Sequence, residues 1–183
     1  MNVDLDQYLD APRDSETLRV RREILIDQLG WLSDEAKALK PLLADLPAWA
    51  LDQAPLPDDR TVKESLAHLS ALDRKVYPTW IERLVTDDHP TLEEPGSEND
   101  SEANSRNLGE LLTDVQKARI SLIKTVEAVP QHDWERKVTL AEEEIDLFDL
   151  ALHIVRHDAD CLRNLAYRLH EADLTDRPEN LAT

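Results

Sequence analysis

The chain has 183 residues, with 39 Asp and Glu against 21 Lys and Arg and a formal net charge of −18 at pH 7. That length closes a hydrophobic core without disulfide or metal staples, so residues 1–183 are expected to form a single domain. Three glycines and 4% aromatics beside abundant Leu, Ala, Glu, Asp and Arg disfavour sandwiches and glycine-rich nucleotide folds and favour an all-α class, while the acidity repels phosphate backbones and excludes direct nucleic-acid binding.

Residues 1–14 are acidic and polar and read as a flexible N-terminus. Asp14-Ser15 then precede a periodic stretch, Leu18, Ile24, Leu25, Leu29, Leu32, Ala36, Leu39, Leu42, Leu43 and Leu46, which predicts one long first helix. Pro41 is expected to kink or divide it. Pro47, Pro55 and Pro57 mark a linker that ends in Thr61-Val62-Lys63-Glu64, a capping-box pattern that starts a second helix running to about Val85.

Residues 86–104 hold seven acids, two prolines, a glycine and no Lys or Arg, and predict a solvated crossover loop. Leu108, Leu111, Leu112, Val115, Leu122, Ile123 and Val126 define a third helix ending before Pro130. A connector with Trp134 and short extended pieces between Arg136 and Leu140 leads to Asp146, the expected cap of a fourth helix with Leu147, Leu150, Ala151, Ile154, Leu162, Leu165 and Leu169 on one stripe. Four amphipathic helices with long connections make a four-helix bundle.

No apolar run approaches the ~20 residues of a membrane span, and nothing at the N-terminus looks like a signal, so a cytoplasmic protein without membrane attachment is expected. One cysteine, Cys161, excludes an intrachain disulfide and agrees with a reducing compartment.

Asp73, Arg119 and Asp158 interrupt the apolar arcs of the second, third and fourth helices. Charges of complementary sign in such places predict a buried network with a structural role. His153, His157 and Cys161 recur every fourth residue along one edge of the fourth helix, and His68 sits at the margin of the second helix, where it can face them. Two imidazoles with a third imidazole or a thiolate suit zinc or nickel and leave a position open for water or substrate. His89, His132 and His170 are expected to face solvent, and Trp31, Trp49, Trp80 and Trp134 to serve core or rim packing. Asp158 and Asp160 are further acids that could orient a ligand or take a proton.

The segment from Leu152 to Leu165, with His157-Asp158 followed one turn later by Cys161, resembles the last-helix motif of the DinB/YfiT-like superfamily. Leu46-Pro47 before a polar linker, Thr61 to Leu69 including His68, and the Arg119 helix followed by Trp134 extend the resemblance over most of the chain. It implies a four-helix bundle holding a divalent metal through one histidine of the second helix and two of the fourth, a homodimer, and metal-dependent S-transfer or hydrolysis on a small molecule, with a low-molecular-weight thiol as one candidate partner. In that register His68 and His157 match ligand positions and Cys161 replaces the last histidine; a shifted register would pair His153 with His157. Three outcomes stay open: a Cys-containing site, a shifted three-histidine site, or an incomplete site without metal. The last would leave a non-enzymatic, stress-associated binding protein.

Overall fold

The computed structural model describes residues 14–44, 46–54, 59–93 and 101–176. Most of the N-terminal segment, Pro55 and Pro57 of the linker, and the middle of the acidic crossover lie outside the described residues. Asp14, assigned above to the flexible terminus, is instead a cap: its carboxylate accepts hydrogen bonds from the Thr17 amide at 3.0 Å and the Thr17 hydroxyl at 2.7 Å. These bonds hold the Asp14 pKa below its ordinary value and open α1, Ser15–Ala44. Pro41 does not divide α1. It stands on an exposed face one turn from the end, where the carbonyl that loses its intrahelical partner can be hydrated.

A short α2, Ala48–Asp52, leads to α3, Val62–Ala71. The predicted capping box is present at its start: the Thr61 hydroxyl accepts from the Glu64 amide at 3.0 Å and the Glu64 carboxylate accepts from the Thr61 amide at 2.8 Å. The second bundle helix continues without interruption through a π-helical segment, Leu72–Val76, into α4, Tyr77–Thr86. Pro78 supplies the reason for the altered winding: it has no amide hydrogen to give the carbonyl one turn back, and the Tyr77 amide instead reaches Leu72 O.

The third and fourth bundle helices are α5, Leu108–Ala128, and α6, Leu147–Asp176. Asp146 caps α6, accepting from the Asp149 amide at 3.1 Å while Asp149 accepts from the Asp146 amide at 3.3 Å. Between them β2, Val138–Leu140, pairs antiparallel with β3, Glu143–Ile145, and parallel with β1, Thr91–Leu92. With two or three residues per strand this sheet is an addition at one end of the bundle, where Leu92, Val138 and Leu140 pack into the core.

Two apolar clusters fill the interior. One joins the first half of α1, α4, the end of α5 and the start of α6; the other joins the second half of α1, α3, the start of α5 and Leu165. Helix directions follow: α1 and α6 run one way, and the α3–α4 helix and α5 run the other, so the segment between α4 and α5 must traverse the bundle. Its described ends are packed, contrary to the fully solvated loop expected from composition. Leu92 is buried in β1, and Asn104, in the 3₁₀ turn Ser101–Ser105, accepts from the Thr61 hydroxyl at 2.7 Å and donates to Glu64 at 3.1 Å. Both anchors are tertiary, and an acid-rich stretch read by itself does not reveal them.

Arg119 lies between the two apolar clusters and touches all four bundle helices. Its Nε and Nη2 donate to Asp73 at 2.7 and 2.9 Å, Nη1 and Nη2 donate to Asp158 at 2.7 and 3.0 Å, and Nη1 reaches Leu29 O at 3.4 Å. All three charged side chains are buried. Two carboxylates share one guanidinium, so the triad is one negative charge in excess. Burial therefore pushes Asp158 up to about 7 against the opposing pull of Arg119, and raises Asp73 for the same reason. Among the described residues no helix is long and apolar enough to cross a membrane.

Candidate metal centre

The triad ties α6 to α5 and to the π-helical segment Leu72–Val76 that follows α3, and so fixes the placement of the residue next to Asp158. That residue, His157, faces His68 of α3, with ring centroids 5.6 Å apart and ring planes tilted by 59°. Cys161 follows one turn further along α6, its Sγ 3.8 Å from Nε2 and 3.9 Å from Nδ1 of His157. All three side chains are half-buried, at the level of the second apolar cluster, on which Cys161 packs. His153, one turn before His157, is exposed on the outer side of α6, and its charge opposes protonation of His157. Sequence spacing thus predicted the His68–His157 approach and the position of Cys161 beside it.

Electrostatics keep both imidazoles neutral. Burial first, then the positive charge of Arg60 and the competition of the neighbouring His157 for a proton, lower the His68 pKa to about 4. Burial likewise lowers His157, assisted by His153 and Arg60. Neutral imidazole is the form that donates a lone pair to a metal. Burial, and then Asp158, push the Cys161 thiol up to about 11, so at neutral pH the sulfur carries its proton. Among the described residues no group of three or more His, Cys, Asp or Glu is placed to hold a metal ion. The donors therefore fit a divalent ion in kind, two neutral imidazoles from two helices with a sulfur alongside, without forming a finished ligand sphere.

The low His68 pKa has a residue-resolved consequence. In metal-free protein the His68 ring should titrate near pH 4, not near its ordinary 6.5, and NMR of the imidazole signals reads this directly. Its contribution to folding stability is full above pH 6.5 and is lost as pH falls toward 4, because the unfolded chain takes up the proton first. Asp158 has the opposite slope, losing stability as pH rises from about 4 to about 7. Bulk unfolding in that window mixes the two, which makes the ring signals the sharper measurement. A His68 titration near 6.5 would refute the burial argument.

Other predicted site groups are engaged elsewhere. Asp158 is held by Arg119, as expected for a structural network, and Asp160 is exposed, 2.8 Å from Arg163. His89 and His132 are exposed, as is His170. Trp80 and Trp134 are buried, whereas Trp31 and Trp49 lie at the surface. Two neighbours of the site escaped the sequence reading. Tyr77 is buried near Asp158 and Cys161, and both burial and these neighbours raise its phenol pKa. Arg60, in the Pro-rich linker, is a cation whose charge opposes protonation of both imidazoles.

The family model of the DinB superfamily matches residues 32–165, which include the whole triad, His68, His157 and Cys161. Among solved structures the chain is similar to YfiT from Bacillus subtilis, described as a probable metal-dependent hydrolase with an unusual four-helix bundle topology. The two share 15% sequence identity and a TM-score of 0.60, over 85% of this chain and 93% of the other. No curated protein matches the sequence.

Proposed function

The chain belongs to the DinB superfamily, and we propose that it is a divalent-metal-dependent enzyme acting on a small molecule, with His68, His157 and Cys161 as the ligands of zinc or nickel. The observation that carries this reading is the approach of two neutral imidazoles from different helices, 5.6 Å between ring centroids, at a half-buried place on the bundle. Cys161 is the favoured third donor because it lies against His157, whereas His153 is on the exposed side. An ion bound there supplies Lewis acidity, which activates water or a substrate thiol at neutral pH. His68 and His157 offer lone pairs without first losing a proton, Cys161 must give one up, and the Arg119 triad fixes the helices that carry all three. Hydrolysis agrees with the description of the similar Bacillus subtilis protein; transfer to a low-molecular-weight thiol uses the same acidity and is the finer alternative.

A second reading has its own support. The high thiol pKa of Cys161 and the lack of a three-donor group among the described residues favour a non-enzymatic binding protein that keeps the bundle with an incomplete site. Elemental analysis of untagged, dialysed protein separates the two. About one equivalent of zinc or nickel is expected for the enzyme. A folded protein that is metal-free and ignores micromolar zinc would overturn the enzyme reading in favour of the binding protein.

A further inference from the structure

Among the described residues six large apolar side chains are exposed, and three of them lie on α1: Val20 at 39%, Trp31 at 48% and Leu42 at 61%. They are spaced eleven residues apart, just over three helical turns, and so fall on one line along the helix. Ile24, half-buried, and Ala38, exposed, fill the same stripe. Arg21 reaches Asp149 of α6 and Arg22 reaches the Glu127 carbonyl of α5, so both neighbours of α1 lie on other sides of it and the stripe looks outward.

Gly30 stands beside Trp31 in the middle of α1, where glycine is a poor helix former. A Cβ built on it would meet nothing within 4 Å. Packing inside the chain therefore gives no reason for a glycine there, whereas a close approach from outside does.

We propose that this face of α1 is the interface with a second copy of the chain, packed antiparallel about a two-fold axis at Trp31. The spacing decides the partner. Val20 and Leu42 are equally far from Trp31, so the axis sets Val20 of each copy against Leu42 of the other. It also sets the two indoles together beside Gly30, where a side chain would obstruct them. Such self-complementarity is what an isologous contact requires. Charge agrees with it. α6 runs alongside α1 in the same direction from the Arg21–Asp149 pair, which puts the exposed Arg156 about two turns further on, level with Gln28. The same axis brings Glu35 of the second copy to about that level. The area is sufficient as well. From Val20 to Leu42 the helix is roughly 33 Å long. The adjoining edge of α6 is also open and apolar: Ala159, eleven residues after the Phe148 ring that lies under Arg21, is exposed, as is Ala166. Two helix widths over that length bury about 700 Å² per copy, near the ~800 Å² of a stable interface. The metal centre plays no part in this inference.

Light scattering of the full-length protein at high micromolar concentration should give twice the mass of one chain. Trp31→Ala and Gly30→Gln should each weaken association roughly tenfold or more, the loss expected at the centre of an interface. Both should keep the helical circular-dichroism signal, since neither position belongs to the core. Ile120→Ser, at an equally exposed apolar position on α5, should leave the dimer unchanged. The two-fold is read by crosslinking. Glu23 and Pro41 are exposed on one flank of the stripe, at nearly equal distances from Trp31. A short bismaleimide should therefore join Glu23→Cys to Pro41→Cys when the variants are mixed and neither to itself, with peptide mapping to set aside linkage through Cys161. A single-chain mass for the wild type would overturn the proposal and leave the face to a partner of another sequence. A dimer that either Trp31→Ala or Gly30→Gln leaves intact would overturn it too, as would self-linkage of Glu23→Cys and Pro41→Cys as efficient as their cross-linkage.

Discussion

Arg119→Met should cost about 3 to 5 kcal/mol of folding stability, the usual penalty for leaving a buried ion-pair partner uncompensated. Two carboxylates are stranded by this one change, because Asp73 and Asp158 both take their paired hydrogen bonds from the same guanidinium. The loss should depend on pH with a definite sign. Without Arg119 both acids bind protons more tightly in the folded than in the unfolded chain, so folded protein is penalised more as pH rises. Urea unfolding at pH 8 should therefore show a larger deficit than at pH 5. Replacing all three charges together, Arg119→Met with Asp73→Leu and Asp158→Leu, should recover most of the stability, since a packed apolar core can substitute for a buried ion network. A deficit below about 1 kcal/mol for Arg119→Met alone, within the range of an exposed pair, would mean that the triad does not hold the helices.

The triad was legible in the sequence for a simple reason. Each charge falls inside an arc that the 3.6-residue period assigns to the interior, and the three signs balance except for one excess acid. Thr61 and Glu64 were legible because a capping box is local, complete within four residues. Residues whose role depends on distant partners could not be read in this way. Leu92 owes its burial to β2, some fifty residues later, and Asn104 owes its bonds to Thr61 and Glu64. Pro41 and Pro78 show that a proline signal needs context: one is tolerated at an exposed helix end, the other is absorbed by a π-helical segment just before it. For the site itself, spacing placed His157 and Cys161 on one helical edge and His68 opposite, while nothing in the spacing foretold that burial would keep the thiol protonated.

That protonated thiol makes the ligand variants informative as a set. His68→Ala and His157→Ala should each abolish stoichiometric zinc or nickel binding, a loss well beyond the roughly 10- to 100-fold that follows removal of a residue merely supporting a ligand. Neither helix suffices alone, because neighbouring groups on one helix edge offer at most two donors to a tetrahedral ion. Cys161→Ala should weaken binding strongly and His153→Ala little, since Cys161 lies against His157 while His153 is on the exposed face. Thiolate ligation also releases a proton, so affinity should climb with pH in the wild type and lose most of that climb in Cys161→Ala. Zinc affinities measured between pH 6 and pH 8.5 read both effects at once. A strong loss in His153→Ala with Cys161→Ala unaffected would move the third ligand one turn toward the start of α6, and retention of metal by both His68→Ala and His157→Ala would remove the metal centre altogether.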